Sequence, residues 1–210
     1  MESLQIKVAQ LLLQINTIKV QPSNPFTWAS GWKSPIYCDN RKILSFPDAR
    51  NFIRDQFVKV INDLYPDTEV IAGVATGAIA HGVLVADKLG LPFVYIRAEP
   101  KSHGLENLIE GDLRPGQKVI VIEDLVSTGT SSLKAAMAVS GYGGDVLGMV
   151  AIFTYEFPQA VENFLKAGIT LTTLSRYQVL IEQAIAQGEI AEADLEKLMR
   201  WRENPTDWGR

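Results

Sequence analysis

Cysteine is all but missing from this chain: of 210 residues only Cys38 carries a thiol. An internal disulfide is therefore excluded, and a reducing cytoplasm is the simplest setting. No apolar run approaches the roughly 20 residues that a membrane-spanning helix needs. The opening Met1-Glu2-Ser3 also lacks the basic stretch of a secretory leader. Cationic excess is lacking too, since 20 Lys and Arg against 24 Asp and Glu leave a net charge of −4. General affinity for nucleic acid or for a membrane surface is not expected from such a balance, so any anion must meet a local cluster of donors. No glycine-rich loop ends in Gly-Lys-Ser/Thr, and Gly141-Tyr142-Gly143-Gly144 precedes a strand instead of following one. The common nucleotide-binding fingerprints are thus absent. There is no internal repeat, low-complexity tract or interdomain linker.

What is present is an alternation of strand and helix patterns. Leu4, Val8, Leu11, Leu12, Ile15 and Ile18 recur at helical spacing and predict an amphipathic opening helix. Ser45 suits a helix cap, ahead of a buried face formed by Phe52, Ile53, Phe57, Val60, Ile61 and Leu64. Strands are predicted at 70–74, 92–97, 119–122, 145–155 and 169–173, and two closing helices are separated at Gly188. The expected fold class is α/β, an open and mainly parallel sheet with helices on both faces, plus a small N-terminal hood. A single domain would span 1–210, with helix and hood at 1–45, core sheet at 66–175, lid loop at 98–113 and C-terminal helices at 176–210.

The most informative stretch runs from Val119 to Ser132. Four β-branched residues, Val119 to Ile122, predict a strand buried on both faces that ends in Glu123 and Asp124. A loop of small hydroxyl residues follows, Ser127, Thr128, Thr130 and Ser131 with Gly129 among them, and then a helix over Leu133 to Val139. Main-chain N–H groups and the positive end of the helix dipole converge on that loop, which suits a phosphate. The acids would repel a phosphate but can accept hydrogen bonds from sugar hydroxyls beside it. Together they describe a site for a ribose 5-phosphate. A capped helix start with solvated acids explains the same residues less economically.

Three other clusters stand out. Residues 23–41 hold Trp28, Trp32 and Tyr37 beside Lys33 and Arg41 among prolines and a glycine, which predicts a hairpin presenting flat aromatic surface. Ala75-Thr76-Gly77 joins a strand to a helix and is either an anion-binding corner or a plain turn. The polar excursion 98–112 has the length and glycine content of a lid, with Arg97, Lys101 and His103 at its start. Cys38 falls in a strand pattern with no base beside it and reads as a small buried hydrophobe.

The stretch 119–132 resembles the phosphoribosyl-diphosphate (PRPP) signature of the type I phosphoribosyltransferases. The hood, Ser30-Gly31-Trp32-Lys33-Ser34-Pro35-Ile36-Tyr37 before Asp39-Asn40-Arg41, is similar to that of the orotate-using branch. The resemblance implies a type I phosphoribosyltransferase-like fold and transfer of the phosphoribosyl group from PRPP to orotate, with Mg²⁺ as cofactor and no direct protein ligand to the metal. It implies PRPP contacts at Thr76, Gly77, Arg97, Lys101, His103, Glu123, Asp124, Leu125, Val126, Ser127, Thr128, Gly129, Thr130 and Ser131. Orotate contacts are implied at Lys33, Ile36, Tyr37, Arg41, Ser127 and Tyr155, and catalytic roles at Lys101, Arg97, His103 and Asp124. The expected partners are PRPP, orotate and a second copy of the chain in a homodimer that shares the lid. Relatives carry cations where this chain has Ala29, Ala98 and Tyr155, and Lys33 and Arg41 are candidates to replace them. A phosphoribosyltransferase for another nucleobase, or a PRPP-binding regulator, are the competing expectations.

Overall fold

In a computed structural model, residues 2–28, 30–99, 108–206 and 208 are described. Helix α1 (Glu2–Gln14) buries Val8, Ala9, Leu12 and Leu13. It stops short of the apolar repeat that continues to Ile18. Asn16 takes a positive φ of 54°, and the N–H groups of Asn16 and Thr17 turn back to the carbonyls of Leu13 and Leu12. Asparagine tolerates that conformation better than most residues. Ile18 therefore belongs to strand β1 (Ile18–Val20), not to the predicted helix.

The hood comprises the hairpin β2 (Phe26–Thr27) and β3 (Lys33–Ser34), then β4 (Ile36–Cys38), which pairs antiparallel with β1. A 3-10 turn, Asn40–Ser45, leads into α2 (Pro47–Leu64). Ser45 is consumed in that turn and does not cap the helix; Pro47, preset for the first helical position, starts it instead. Ile53, Phe57, Val60 and Ile61 are buried as predicted, whereas Phe52 is half-buried and Leu64 is 53% exposed.

The core sheet is built from β5 (Val70–Val74), β6 (Phe93–Ile96), β7 (Ile109–Glu110), β8 (Lys118–Val126), β9 (Asp145–Thr154) and β10 (Leu171–Arg176). Between them run α3 (Ile79–Leu89), α4 (Thr130–Gly141) and α5 (Pro158–Ala167), followed by α6 (Tyr177–Ala186) and α7 (Leu195–Glu203). The strand order is β10-β9-β8-β5-β6-β7, with only β7 antiparallel to its neighbour. Val119 to Ile122 are sealed at the centre of this sheet. Three boundaries differ from expectation. β8 does not end at the acids but continues to Val126, because β9 is long enough to pair Glu123 with Ala151 and Val126 with Thr154. β10 begins at Leu171, since Ile169 is still engaged in the exit of α5 through its N–H to the carbonyl of Phe164. β7 lies within the predicted lid, where its return limb adds an edge strand beside β6.

The chain steps from β5 outward to β6 in one direction, while β8 lies on the other side of β5. Loops leaving β5 and β8 therefore diverge and open a crevice at the carboxyl ends of the strands, where ligands bind in open α/β sheets. Among the described residues, no helix is long and apolar enough to cross a membrane.

Candidate active site

One wall of the crevice is the loop from β8 into α4. Gly129 has φ 77°, and a Cβ there would lie 2.9 Å from the Phe164 ring, so only glycine fits the turn. Asn163 braces the loop by donating its side-chain amide to the carbonyl of Thr128 at 3.0 Å. The hydroxyls of Thr128 and Thr130 are 3.2 Å apart. No side chain caps the start of α4. N–H groups at such a helix start can donate to an anion, the role expected of this loop.

The acids are less exposed than a solvated pair. Glu123 is 5% exposed, and its carboxylate accepts from the Ser132 hydroxyl at 2.9 Å and from the Asp124 N–H at 3.0 Å. Ser132, on the first turn of α4, was not singled out from the sequence. Asp124 lies against the β5–α3 turn, where a Cβ on Gly77 would be only 2.3 Å from its Oδ2. Asn40 donates its side-chain amide to the Asp124 carbonyl at 2.7 Å and ties the strand end to the hood. Burial pushes both carboxyls above their usual range, and the neighbouring Asp124 charge raises Glu123 further. A desolvated acid pair can accept further hydrogen bonds, which diol hydroxyls would supply.

The β5–α3 turn forms the opposite wall, with Thr76 and Gly77 following a cis Ala75–Thr76 peptide. Behind it, His81 on α3 is buried, and burial depresses its imidazole to about 4. Arg97 leaves β6 paired with Glu110 at 3.2 Å and remains one-third exposed. Lys134 of α4 reaches the carbonyl of Ala98 at 3.3 Å. Lys101 and His103, with half of the predicted lid, lie outside the described residues, as does Ala29.

Between hood and sheet is a cavity of about 260 Å³ walled by Thr27, Trp28, Tyr37, Cys38, Leu125, Ser127 and Tyr155. Leu125 and Ser127 place it next to the loop between β8 and α4. Of the residues expected to meet orotate, Tyr37, Ser127 and Tyr155 border it, and Lys33 stands at its edge with Nζ donating to Thr27 at 2.7 Å. Arg41 is 62% exposed at its side chain and holds Asp39 at 2.7 Å, which keeps the Asp39 carboxyl below its ordinary range. Ile36 is not among the residues that border the cavity. Its side chain is fully buried, and its carbonyl accepts from the Trp28 indole at 3.1 Å, so it lies behind the wall. Trp28, part of the expected aromatic surface, borders the cavity as well, together with Thr27 and Cys38, which the sequence does not mark for it. Burial drives the Cys38 thiol and the Tyr155 phenol well up, so both walls are neutral. A larger hollow of about 560 Å³ between α5 and β10 contains none of these residues.

Residues 43–174 match the phosphoribosyl transferase domain family. The chain is 56% identical over 209 residues to an orotate phosphoribosyltransferase of Porphyromonas gingivalis, covering 100% of both chains. Its fold is similar to the crystal structure of orotate phosphoribosyltransferase from Aeropyrum pernix, with TM-score 0.76, 25% identity, and 88% of this chain and 99% of that one covered. It is also similar to the Mycobacterium tuberculosis H37Rv orotate phosphoribosyltransferase in complex with PRPP, with TM-score 0.66, 25% identity, and coverage of 84% and 98%.

Proposed function

This chain belongs to the phosphoribosyl transferase family, in its orotate-using branch, and on that premise we propose how its own residues divide the work. The reaction transfers the 5-phosphoribosyl group of PRPP to orotate, giving orotidine 5′-monophosphate and pyrophosphate in pyrimidine biosynthesis. The observation that carries the assignment is a juxtaposition: an uncapped hydroxyl loop, a buried and a half-buried acid, and an aromatic cavity meet at the end of β8.

In this reading, Leu125 to Ser131 bind the 5-phosphate through main-chain N–H groups and hydroxyls. Asp124 and Glu123 accept from the ribose hydroxyls, and Thr76 and Gly77 lie against the pyrophosphate. Tyr37, Ser127 and Tyr155 flank the orotate ring, with Lys33 and Arg41 supplying positive charge for its carboxylate. A ring nitrogen of orotate attacks the anomeric carbon as the bond to pyrophosphate breaks. Positive charge then develops on the ribose and negative charge on the leaving group. Carboxylates beside the sugar and Arg97, Lys101 and His103 beside the pyrophosphate act where those charges grow.

When bound together with PRPP, Mg²⁺ would offset charge on the diphosphate. The donors on the crevice walls are two carboxylates and several hydroxyls, a set that suits an ion whose other ligands are substrate oxygens and water. Closure of the 98–113 lid from the second subunit of a cytoplasmic homodimer would exclude water, which competes for the same carbon.

The test is a direct assay. The protein is mixed with PRPP, Mg²⁺ and orotate, and the loss of orotate absorbance is followed, with adenine, hypoxanthine and uracil as controls. Consumption of orotate alone is expected. Consumption of a control base in its place would reassign the acceptor, and PRPP binding without any consumption would make the chain a regulator.

A further inference from the structure

The last helix takes part in the acceptor half of the site. Trp201 on α7 is fully buried. Its indole stands edge-on to Trp28, with centroids 5.8 Å apart at 89°, and to Tyr155, at 5.8 Å and 88°. Both rings wall the cavity beside the phosphate loop, whereas Trp201 does not reach it. The Trp201 indole N–H also donates to the carbonyl of Lys33 at 3.3 Å. Lys33 is paired across the hairpin with Thr27, which is another wall. Three parts of one cavity thus rest on a single side chain behind it.

One turn earlier, on the same face of α7, Lys197 donates to the carbonyl of Pro22 at 2.6 Å, where the chain enters the hood. The other end of α7 is tied to the sheet. Glu156, just past β9, accepts from Arg176 at 3.1 Å and faces Arg202 at 3.9 Å. α7 therefore spans from the sheet to both limbs of the hairpin. The hairpin needs such a brace, because β2 and β3 have only two residues each. An isolated two-stranded ribbon is marginal at best.

We infer that Trp201 is a positioning residue for acceptor binding, seconded by Lys197. It touches neither substrate and acts through Trp28, Tyr155 and Lys33 to hold the cavity at the width of a planar base. This rests on the reading of that cavity as the orotate site. The loop after β8, which would hold PRPP, meets the brace at one remove, where the Tyr155 N–H donates to the Val126 carbonyl at 3.1 Å.

Steady-state kinetics with each substrate varied tests this, on Trp201→Leu, Trp201→Phe, Lys197→Met and, as a control on the cavity itself, Tyr37→Ala. Small displacements of positioning groups are costly, so the orotate KM should rise about tenfold in Trp201→Leu and severalfold in Trp201→Phe and Lys197→Met. The PRPP KM should stay within about twofold in all three. Thermal melting of each variant separates this from loss of folded protein, which would depress apparent turnover with both substrates alike. If Trp201→Leu does not fold, the two milder variants decide. An unchanged orotate KM in both, or an equal rise in both KM values, overturns the role of α7. If Tyr37→Ala also leaves the orotate KM unchanged, it is the cavity assignment that fails.

Discussion

A methyl group on Gly77 would stand 2.3 Å from Oδ2 of Asp124. The turn after β5 and the end of β8 are thus pressed together across the crevice, with no room for a side chain between them. This contact joins the two walls on which PRPP would lie.

Gly77→Ala should therefore displace the Asp124 carboxylate. Overpacking of this kind costs about 1–3 kcal/mol in stability. The misplaced acid should lower kcat/KM for PRPP about 100-fold. Circular dichroism and melting would show a folded chain, and kinetics would show the loss. Full activity would mean that the carboxylate is not needed where it lies.

Asp124→Asn removes a charged acceptor. Hydrogen bonds to charged groups contribute about 1.5–3 kcal/mol, so a loss of roughly 10- to 100-fold in kcat/KM for PRPP is expected. The companion change, Glu123→Gln, should also raise stability near neutral pH. Burial lifts the Glu123 pKa in the folded state above its ordinary 4.5. Below that value both states are protonated and nothing is lost. Above it the unfolded chain ionises first, and folded stability falls as pH rises through the folded-state pKa. The variant should melt higher than the parent at pH 8, with the gain fading toward pH 4. A gain that does not vary with pH would contradict the burial argument.

His81 has the opposite sign. Its folded-state value of about 4 lies below the ordinary 6.5. The unfolded chain binds a proton that the fold refuses, so stability is full above 6.5, falls as pH drops, and levels off below about 4. That interval corresponds to about 3 kcal/mol at most. Urea titrations should show His81→Gln losing less stability than the parent between pH 7 and pH 4.5.

Lys101→Ala should lower turnover far more than it weakens orotate binding, since its charge is assigned to the leaving group. Mixing that variant with Asp124→Asn should restore part of the activity if the lid crosses between subunits, because one site per mixed dimer would then be intact. Mixed dimers without activity would confine the lid to its own subunit.

Much of this site was legible because its signals are local. Val119 to Ile122, the hydroxyl loop and the small-residue turn at 75–77 each state their geometry within a few consecutive residues. Aromatic and cationic residues crowded into 26–41 likewise announced a hairpin with a surface to present. Legibility failed where a partner distant in sequence made the decision. Helical spacing runs on to Ile18, yet its pairing with Cys38 claims it for a strand. Alternation in 36–38 could not say that Ile36 would be sealed while Tyr37 and Cys38 faced a cavity, since that cavity is closed by the distant Leu125, Ser127 and Tyr155.

By itself, then, the order of residues determined most of the elements and the chemical character of their ends: a buried strand, a loop of small hydroxyl residues and a pair of acids. Only the tertiary structure decided that Glu123 would be held by Ser132, that Asp124 would abut Gly77, and that Trp201 would back the wall made by Trp28. Periodicity and turn chemistry act over one or two turns of chain. Burial, strand register and ring packing are settled by whichever remote segment fills the space.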